Sequence, residues 1–302
     1  MTRYFTILLI SMGLLATGAS NSANAKPPTV VVSVAPVRAL VAAVMQGIAE
    51  PTLLLRPGAS PHDYRMRPSE ARMLENAALV IWVGPELEGF LVKPITVLGA
   101  SAQVLTLLDD PSITVLSGRS GGIWGAGETH SESRDPHIWL RPANAARILE
   151  TVAATLGKLD PENRPRYHMN AARAVLEVGA LEAEIGDLLA PVRDMPYIVF
   201  HDAYQYFEKT FRLNAKGALA VDPGRPPGAR RLRELKQRIA AEQIGCVFRE
   251  PDFKPATLAA VIEGTGAQIA ELDPMGQVSG NLQAYASLIR NLARNLKSCL
   301  AP

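Results

Sequence analysis

The stretch TLLLRPGASPHDYRMRPSEARMLENAALVIWV, residues 52–83, alternates between strand-like and helix-like segments. Residues 52–55 and 79–83 are short apolar runs, as expected of buried parallel strands. A helix is predicted over 69–77, entered through a proline turn. His62 directly follows a proline in the loop between the first strand and this helix. The stretch therefore predicts a βαβ unit with an imidazole near the carboxyl end of a strand.

The same alternation continues outward from this unit in both directions. Apolar strands are predicted on either side of it, and the second half of the chain repeats the pattern with four more strands separated by helices. Buried strands separated by helices predict parallel sheets covered on both faces. Between the halves, residues 165–189 have helical spacing and would form a helix of roughly 37 Å.

We therefore predict an α/β protein with two lobes whose parallel sheets are flanked by helices and joined by one long helix. The predicted division is an amino-terminal lobe over 26–160, the linking helix over 161–190 and a carboxyl-terminal lobe over 191–302. The length of the chain suits two domains of ordinary size.

The amino terminus has the pattern of a cleavable export signal. Residues 1–25 comprise a short basic start, an apolar run and an end in Ala23-Asn24-Ala25, which predicts cleavage after Ala25. The apolar run is too short to span a bilayer well. No cysteine near the cleavage point offers a site for lipid attachment. We expect a soluble protein exported to the periplasm.

Charge and cysteine content narrow the classes of partner. Thirty-one Lys and Arg against 29 Asp and Glu leave a balanced surface, which favours neither nucleic acid nor anionic membrane as partner. The only two cysteines are Cys246 and Cys299. We expect them to form a disulfide in an oxidising periplasm, whereas in the cytosol they would remain thiols.

Three polar side chains follow predicted strands. His62 comes after the strand at 52–55, while His201 and Asp273 come directly after two strands of the second half. Ligands of open α/β sheets bind beyond the carboxyl ends of the strands. His137, in RDPHIWLRP, also follows a proline and can converge on the same point. Three imidazoles and one carboxylate suit tetrahedral zinc.

The other two histidines are interpreted as surface residues. A lone histidine in a loop is more commonly solvated than a metal ligand. His130 lies in a Gly- and Ser-rich stretch, 117–135, that is predicted to be a mobile surface flap. His168 lies on the long helix beside Tyr167 and Asn170, which we expect on a solvated face.

Four motifs in matching order carry a resemblance to a known family. The sequence is similar to the metal-binding receptors of ABC importers, the cluster A-I solute-binding proteins, and especially to their zinc-uptake (ZnuA-like) branch. The resemblance extends over nearly the whole mature chain. The motifs are LLLRPGASPHDYRMRPSEARMLENAALVIWVGPELEGFL (53–91), DPHIWLRPANA (135–145), VFHDAYQYFEKTF (199–211) and LDPMG (272–276).

The resemblance implies a zinc-binding receptor with its metal in the cleft between the lobes. It makes His62, His137 and His201 ligands, and it leaves the fourth position to Asp273, to water or to another carboxylate. Manganese receptors of this fold tend to carry a glutamate where this chain has His201. The implied partner is a membrane permease with its cytoplasmic ATPase, and the cysteines resemble a carboxyl-lobe disulfide of zinc-type members.

One departure from the family concerns the stretch 117–135. Many zinc receptors carry a histidine-dense loop there, but this chain has only His130, which puts a second zinc site in doubt. The departure leaves open a periplasmic metallochaperone that feeds a monomeric receptor, or a zinc receptor from a different importer subtype.

Three alternative functions remain from the sequence. They are a manganese or iron receptor of the same fold, a surface adhesin and a periplasmic zinc hydrolase. The missing lipid anchor counts against the adhesin. The chain has no H-E-x-x-H or similar local catalytic signature, so we do not expect an enzyme.

Zinc affinity is predicted to fall as the pH drops below about 6.5, because only the unprotonated imidazole binds metal. Competition titrations against a chelator between neutral pH and about pH 5 measure this dependence. An affinity that stays constant over that range would contradict a site made of three histidines.

Overall fold

The structure is a computed structural model that describes residues 26–120, 122–124, 130–220, 228–251, 255–276 and 280–301. The predicted signal peptide, 1–25, and its cleavage site lie outside the described residues. Within the described part, no helix is both long and apolar enough to cross a membrane.

The first half forms a four-stranded, fully parallel sheet with helices packed against it. Its strand order is β2-β1-β3-β4. The central strands are wholly buried, because both faces are covered. The elements in chain order are β1 (Val30–Val32), α1 (Ala35–Val44), β2 (Thr52–Leu53), α2 (Pro68–Glu75), β3 (Leu79–Trp82), α3 (Val92–Val97) and β4 (Gln103–Thr106).

A hairpin and two helices follow the first sheet. The hairpin pairs two short antiparallel strands, and the two helices pack against each other. These elements are β5 (Ser117–Arg119), β6 (His130–Arg134), α4 (Pro142–Leu159) and α5 (Arg164–Leu189).

The second half forms another four-stranded parallel sheet, in the order β10-β9-β7-β8. Tyr197, Ile198 and Phe248 of its inner strands are buried. The elements are β7 (Pro196–His201), α6 (Gln205–Phe211), β8 (Asn214–Ala220), α7 (Ala229–Ala241), β9 (Cys246–Arg249), α8 (Pro255–Ile262), β10 (Gln268–Glu271) and α9 (Leu282–Leu300).

Both sheets have the same topology, because in each the first strand in the chain lies between the second and the third. In the first sheet the chain passes from β1 to β2 on one side and then to β3 on the other side of β1, so the switch point lies between β1 and β3. In the second sheet the switch point lies between β7 and β9. A crevice opens beyond the carboxyl ends of the strands at such a switch point. The predicted α/β class with two lobes is confirmed, and we call the first sheet with its helices the amino-terminal lobe and the second the carboxyl-terminal lobe.

The long helix α5 has 26 residues and packs against α4, α1 and α9. His168 is exposed, as predicted, whereas its neighbours Tyr167 and Asn170 lie on the buried face of the helix and not on a solvated face. The Asn170 amide instead donates to the carbonyl groups of Val44 and Gln46. The lobe boundaries at 160 and 190 remain a prediction.

The last helix, α9, returns from the carboxyl-terminal lobe to pack on α1 and α5. Arg290 of α9 forms a two-pronged ion pair with Glu184 of α5, at 2.7 and 2.8 Å. The main apolar core is continuous across the lobes, from Val32 of β1 to Phe248 of β9. Packing therefore fixes the lobes against each other.

The sequence predicts a mobile flap for the Gly- and Ser-rich stretch, 117–135. Its described part is instead attached to the carboxyl-terminal lobe. Ile123 forms an antiparallel bridge with Gly217 of the edge strand β8. The backbone N–H of Trp124 donates to the backbone carbonyl of Lys216 at 3.0 Å. A Cβ atom at position 217 would lie 2.6 Å from the carbonyl oxygen of Gly122, so only glycine allows this close approach.

The predicted disulfide is present. Cys246 of β9 is bonded to Cys299 of α9, with a sequence separation of 53 residues. The bond attaches α9, which packs on both lobes, to an inner strand of the second sheet.

Replacing both cysteines by serine is expected to lower stability by about 4 kcal/mol at most, because the unfolded chain then loses a closed loop. This corresponds to a decrease in Tm of roughly 8 °C. Thermal unfolding with and without reductant measures the effect on the wild type, and the double serine variant should not respond to reductant. A wild type with the same Tm under both conditions would show that the bridge contributes nothing.

Candidate metal centre

Three imidazoles converge between the lobes. Each of His62, His137 and His201 offers one ring nitrogen, and these atoms all lie within 4.8 Å of one another. The Nε2 atoms of His137 and His201 are 3.4 Å apart. Two nitrogens bound at about 2.0–2.1 Å to tetrahedral zinc are separated by about 3.4 Å. The spacing of this pair therefore fits zinc.

His137 is held by Asp135, which directly follows β6. The Nδ1 atom of His137 lies 2.9 Å from Asp135 Oδ1, which also accepts the backbone N–H of His137 at 3.0 Å. Because a carboxylate accepts, Nδ1 carries the proton and Nε2 presents its lone pair to the site. The Tyr206 hydroxyl donates to the Asp135 carbonyl at 2.8 Å, which anchors the segment.

His201 ends β7 and is held by Glu250, which directly follows β9. The two strands flank the switch point of the second sheet, so their ends are adjacent in space. The Nδ1 atom of His201 is 2.5 Å from Glu250 Oε1. The Tyr204 hydroxyl lies 3.3 Å from the same oxygen. Both side chains of the pair are buried, so the geometry of His201 Nε2 is fixed.

His62 reaches the site from a loop shaped by local sequence. Arg56 to Ala59 form a turn closed by the Ala59 N–H and the Arg56 carbonyl, with Gly58 at φ 70° as a type II turn requires. At the far end, Glu70 accepts the Tyr64 hydroxyl and the Arg67 backbone N–H, both at 2.6 Å. These bonds fasten the loop to the start of α2.

Asp273 follows β10 and lines the same cavity as the imidazoles. Its Oδ1 accepts the backbone N–H groups of Met275 and Gly276 at 2.9 and 3.0 Å. Among the described residues, the metal-binding group within 4.8 Å contains only the three histidines. The structure therefore places Asp273 at the cavity wall, and its role as fourth ligand stays a prediction.

The buried surroundings shift the pKa values of the two inner imidazoles in opposite directions. Desolvation, reinforced by the proximity of His201, holds the pKa of His137 well below its usual value. For His201, desolvation also favours the neutral form, but the charge of Glu250 outweighs it and raises the pKa. Burial raises the pKa of Asp135 to about 7. The lowered pKa therefore favours neutral His137, which can bind metal, whereas the raised pKa of His201 means that a proton competes with metal for this imidazole.

A buried arginine connects the hairpin to the His201 loop. Arg119 of β5 forms ion pairs with Asp202 and with Glu208, the latter at 2.7 Å. Its guanidinium carbon lies 3.3 Å from the centroid of the Trp124 ring. Burial raises the pKa of Glu208 to about 7, although the charge of Arg119 opposes this shift.

Of the remaining histidines, His168 does not join the site. His168 is exposed on α5. His130 belongs to β6, and its side chain lies outside the described residues. The sequence analysis missed Asp135, Glu250 and Arg119. Glu250 satisfies the same rule that selected His201 and Asp273, because it directly follows a strand.

Two parallel α/β lobes, one long connecting helix and a ligand site between the lobes define the class of two-lobed solute-binding proteins. Comparison with known proteins gives the particular family. The family profile described as zinc-uptake complex component A periplasmic, ZnuA, matches residues 30–299. The chain belongs to the ZnuA family.

Two relatives agree with this assignment. The high-affinity zinc uptake system protein ZnuA of Brucella suis biovar 1 (strain 1330) is 37% identical over 327 residues, covering 97% of this chain and 98% of the relative. The protein of the same name from Yersinia pestis is 36% identical, covering 97% and 96%.

Two solved structures support the fold. A crystal structure of ZnuA superposes with a TM-score of 0.78 at 22% identity, covering 91% of this chain and 99% of that one. The periplasmic zinc-binding protein TroA from Treponema pallidum gives the same four values. The resemblance to this family is thus confirmed.

Glu250→Gln is expected to weaken zinc binding about 10- to 100-fold, since loss of the partner that orients a metal-binding imidazole has effects of this size. A chelator competition assay measures the affinity. Glu271→Gln is the matched control, because Glu271 is a partly exposed carboxylate whose only ion pair in the described part is with Arg249. Equal affinities for the two variants would show that Glu250 does not support His201.

Proposed function

We propose that this protein is a periplasmic receptor that captures zinc with high affinity and delivers it to an ABC-type permease for import. The observation that carries the proposal is the convergence of three imidazole nitrogens, two of them 3.4 Å apart, in a chain of the ZnuA family. Neutral imidazole nitrogens suit zinc better than magnesium or calcium, which prefer oxygen.

Capture proceeds by exchange of waters on the arriving ion for imidazole nitrogens. Asp135 and Glu250 hold the Nδ1 atoms of His137 and His201, so the two Nε2 lone pairs face the ion without reorientation. His62, from the amino-terminal lobe, provides the third imidazole nitrogen. The carboxylate of Asp273, at the wall of the cavity, completes a tetrahedral shell in this proposal.

His201 is the proposed selectivity residue. A third nitrogen in place of a hard carboxylate oxygen shifts preference from manganese towards zinc. The buried hydrogen bond to Glu250 also holds this ring in one orientation. The manganese or iron receptor that remained as an alternative would be favoured by an oxygen ligand at this position.

Delivery requires a membrane partner. The family is described as a periplasmic component of a zinc-uptake complex, and the relatives are named as proteins of high-affinity zinc uptake systems. We therefore propose a permease with its cytoplasmic ATPase as the partner that receives the ion.

A receptor fits the site better than a zinc hydrolase. A hydrolase needs a general base free to take a proton from metal-bound water. Among the described residues, Asp135 and Glu250 contact imidazoles of the site, and each is engaged by an Nδ1 atom.

Metal content by mass spectrometry of the mature protein, purified without chelator, tests the function. One tightly bound zinc is expected in the wild type. His201→Glu should bind zinc more weakly and compete better for manganese, whereas His168→Gln, an exposed histidine on α5, should behave as the wild type. Absence of zinc from the wild type, or unchanged zinc retention in His201→Glu, would overturn the proposal.

A further inference from the structure

The cavity beside the imidazoles is much larger than a metal ion. Its volume is about 470 Å³, within the range of roughly 300–1,000 Å³ of sites for small organic ligands. A zinc ion with one or two waters, at about 30 Å³ each, fills only a fraction of this space. The cavity therefore has room for an organic molecule in contact with the bound ion.

The walls between the imidazoles and the cavity mouth are largely apolar. Such walls do not replace the hydration shell of a bare ion, but they suit the carbon skeleton of a small molecule. The apolar lining includes Leu53, Leu55, Ala59, Trp139, Pro274 and Met275.

Arg56 supplies one cation in this lining. Its Nε donates to the Tyr64 hydroxyl at 2.8 Å and lies 3.6 Å from Glu70 Oε1. These contacts orient the guanidinium, whose two terminal nitrogens donate to no other described residue. The side chain is 45% exposed, so it is accessible from the cavity mouth. A guanidinium with two free nitrogens is suited to bind a carboxylate through paired hydrogen bonds.

The fourth coordination position of the zinc ion is a second place where an organic ligand can bind. Among the described residues, three imidazole nitrogens converge without a fourth group, and Asp273 Oδ1 is already engaged by two backbone N–H groups. An incoming carboxylate oxygen can take the fourth position on zinc, with Asp273 taking it after that carboxylate leaves.

We propose that this site, given its proposed zinc-binding function, receives zinc as a complex with a small organic polycarboxylate. One carboxylate of the ligand stays on the ion, a second binds Arg56, and the carbon skeleton lies against the apolar wall. A monocarboxylate bound to the ion has no second carboxylate for Arg56. The site thus accepts zinc that still carries a small polycarboxylate, in addition to the hydrated ion.

Equilibrium dialysis with radiolabelled citrate tests this inference on the mature protein, loaded with one zinc or free of metal. Zinc retained by the protein is measured in every sample by mass spectrometry, so that removal of zinc by citrate is detected. Acetate is the monocarboxylate probe. Arg56→Gln removes the proposed anchor, and Arg65→Gln, an exposed arginine on the same loop that does not line the cavity, is the matched control.

The expected result is one citrate per zinc-loaded protein, with little binding to metal-free protein. Arg56→Gln should weaken citrate binding at least about tenfold, since it removes a pair of charge-assisted hydrogen bonds. Citrate binding is expressed per zinc retained by each variant, so that an effect of Arg56→Gln on the His62 loop, through the lost hydrogen bond to Tyr64, is not counted as loss of citrate. Arg65→Gln should bind citrate as the wild type does, and acetate binding should not depend on Arg56.

The outcomes separate this inference from the proposed function. Retained zinc without citrate binding, or citrate binding that is equal in Arg56→Gln, would overturn the inference and leave the zinc receptor intact. Citrate binding that does not require zinc would also overturn it, because the ligand would then not bridge to the ion. A wild type that does not hold zinc would instead refute the proposed function.

Discussion

Two imidazole–carboxylate hydrogen bonds, His137 with Asp135 and His201 with Glu250, define the geometry of the site. Each carboxylate is buried and accepts from Nδ1, which fixes both the ring orientation and the nitrogen that remains free for metal. Leaving such carboxylates buried is costly unless they are hydrogen-bonded. Each hydrogen bond therefore stabilises both of its partners, and the two Nε2 atoms lie 3.4 Å apart.

The frame that holds these pairs is the packing between the lobes. His62 lies in a loop of the amino-terminal lobe, and His201 ends a strand of the second sheet. The distance between the two imidazoles therefore depends on how the lobes are placed relative to each other. A core shared by both lobes, the helices α1, α5 and α9, and the disulfide between β9 and α9 set that placement. Close-packed interiors resist small displacements, which makes the distance between imidazoles from different lobes a property of the core.

The hairpin β5–β6 connects the segments that carry His137 and His201. Arg119 at its first strand binds Asp202, next to His201, while Asp135 at the end of its second strand binds His137. Segment 122–124 attaches the same hairpin to the edge of β8. Several buried or partly buried carboxylates thus surround the site, and Arg119 pairs with two of them, Asp202 and Glu208. A divalent ion is electrostatically favoured in such surroundings.

The sequence by itself determined the α/β class, the approximate helices and strands, and the candidates His62, His201 and Asp273. Periodicity is local, and a residue directly after an apolar strand must lie at the ligand-binding edge of a parallel sheet. Only the tertiary structure decided which side chains meet. The pairing of His201 with Glu250 spans 49 residues and depends on β9 lying beside β7, not β8, which no local pattern encodes. The attachment of segment 122–124 to β8 is likewise a long-range backbone pairing, so composition alone indicated a mobile flap where the fold supplies a partner strand.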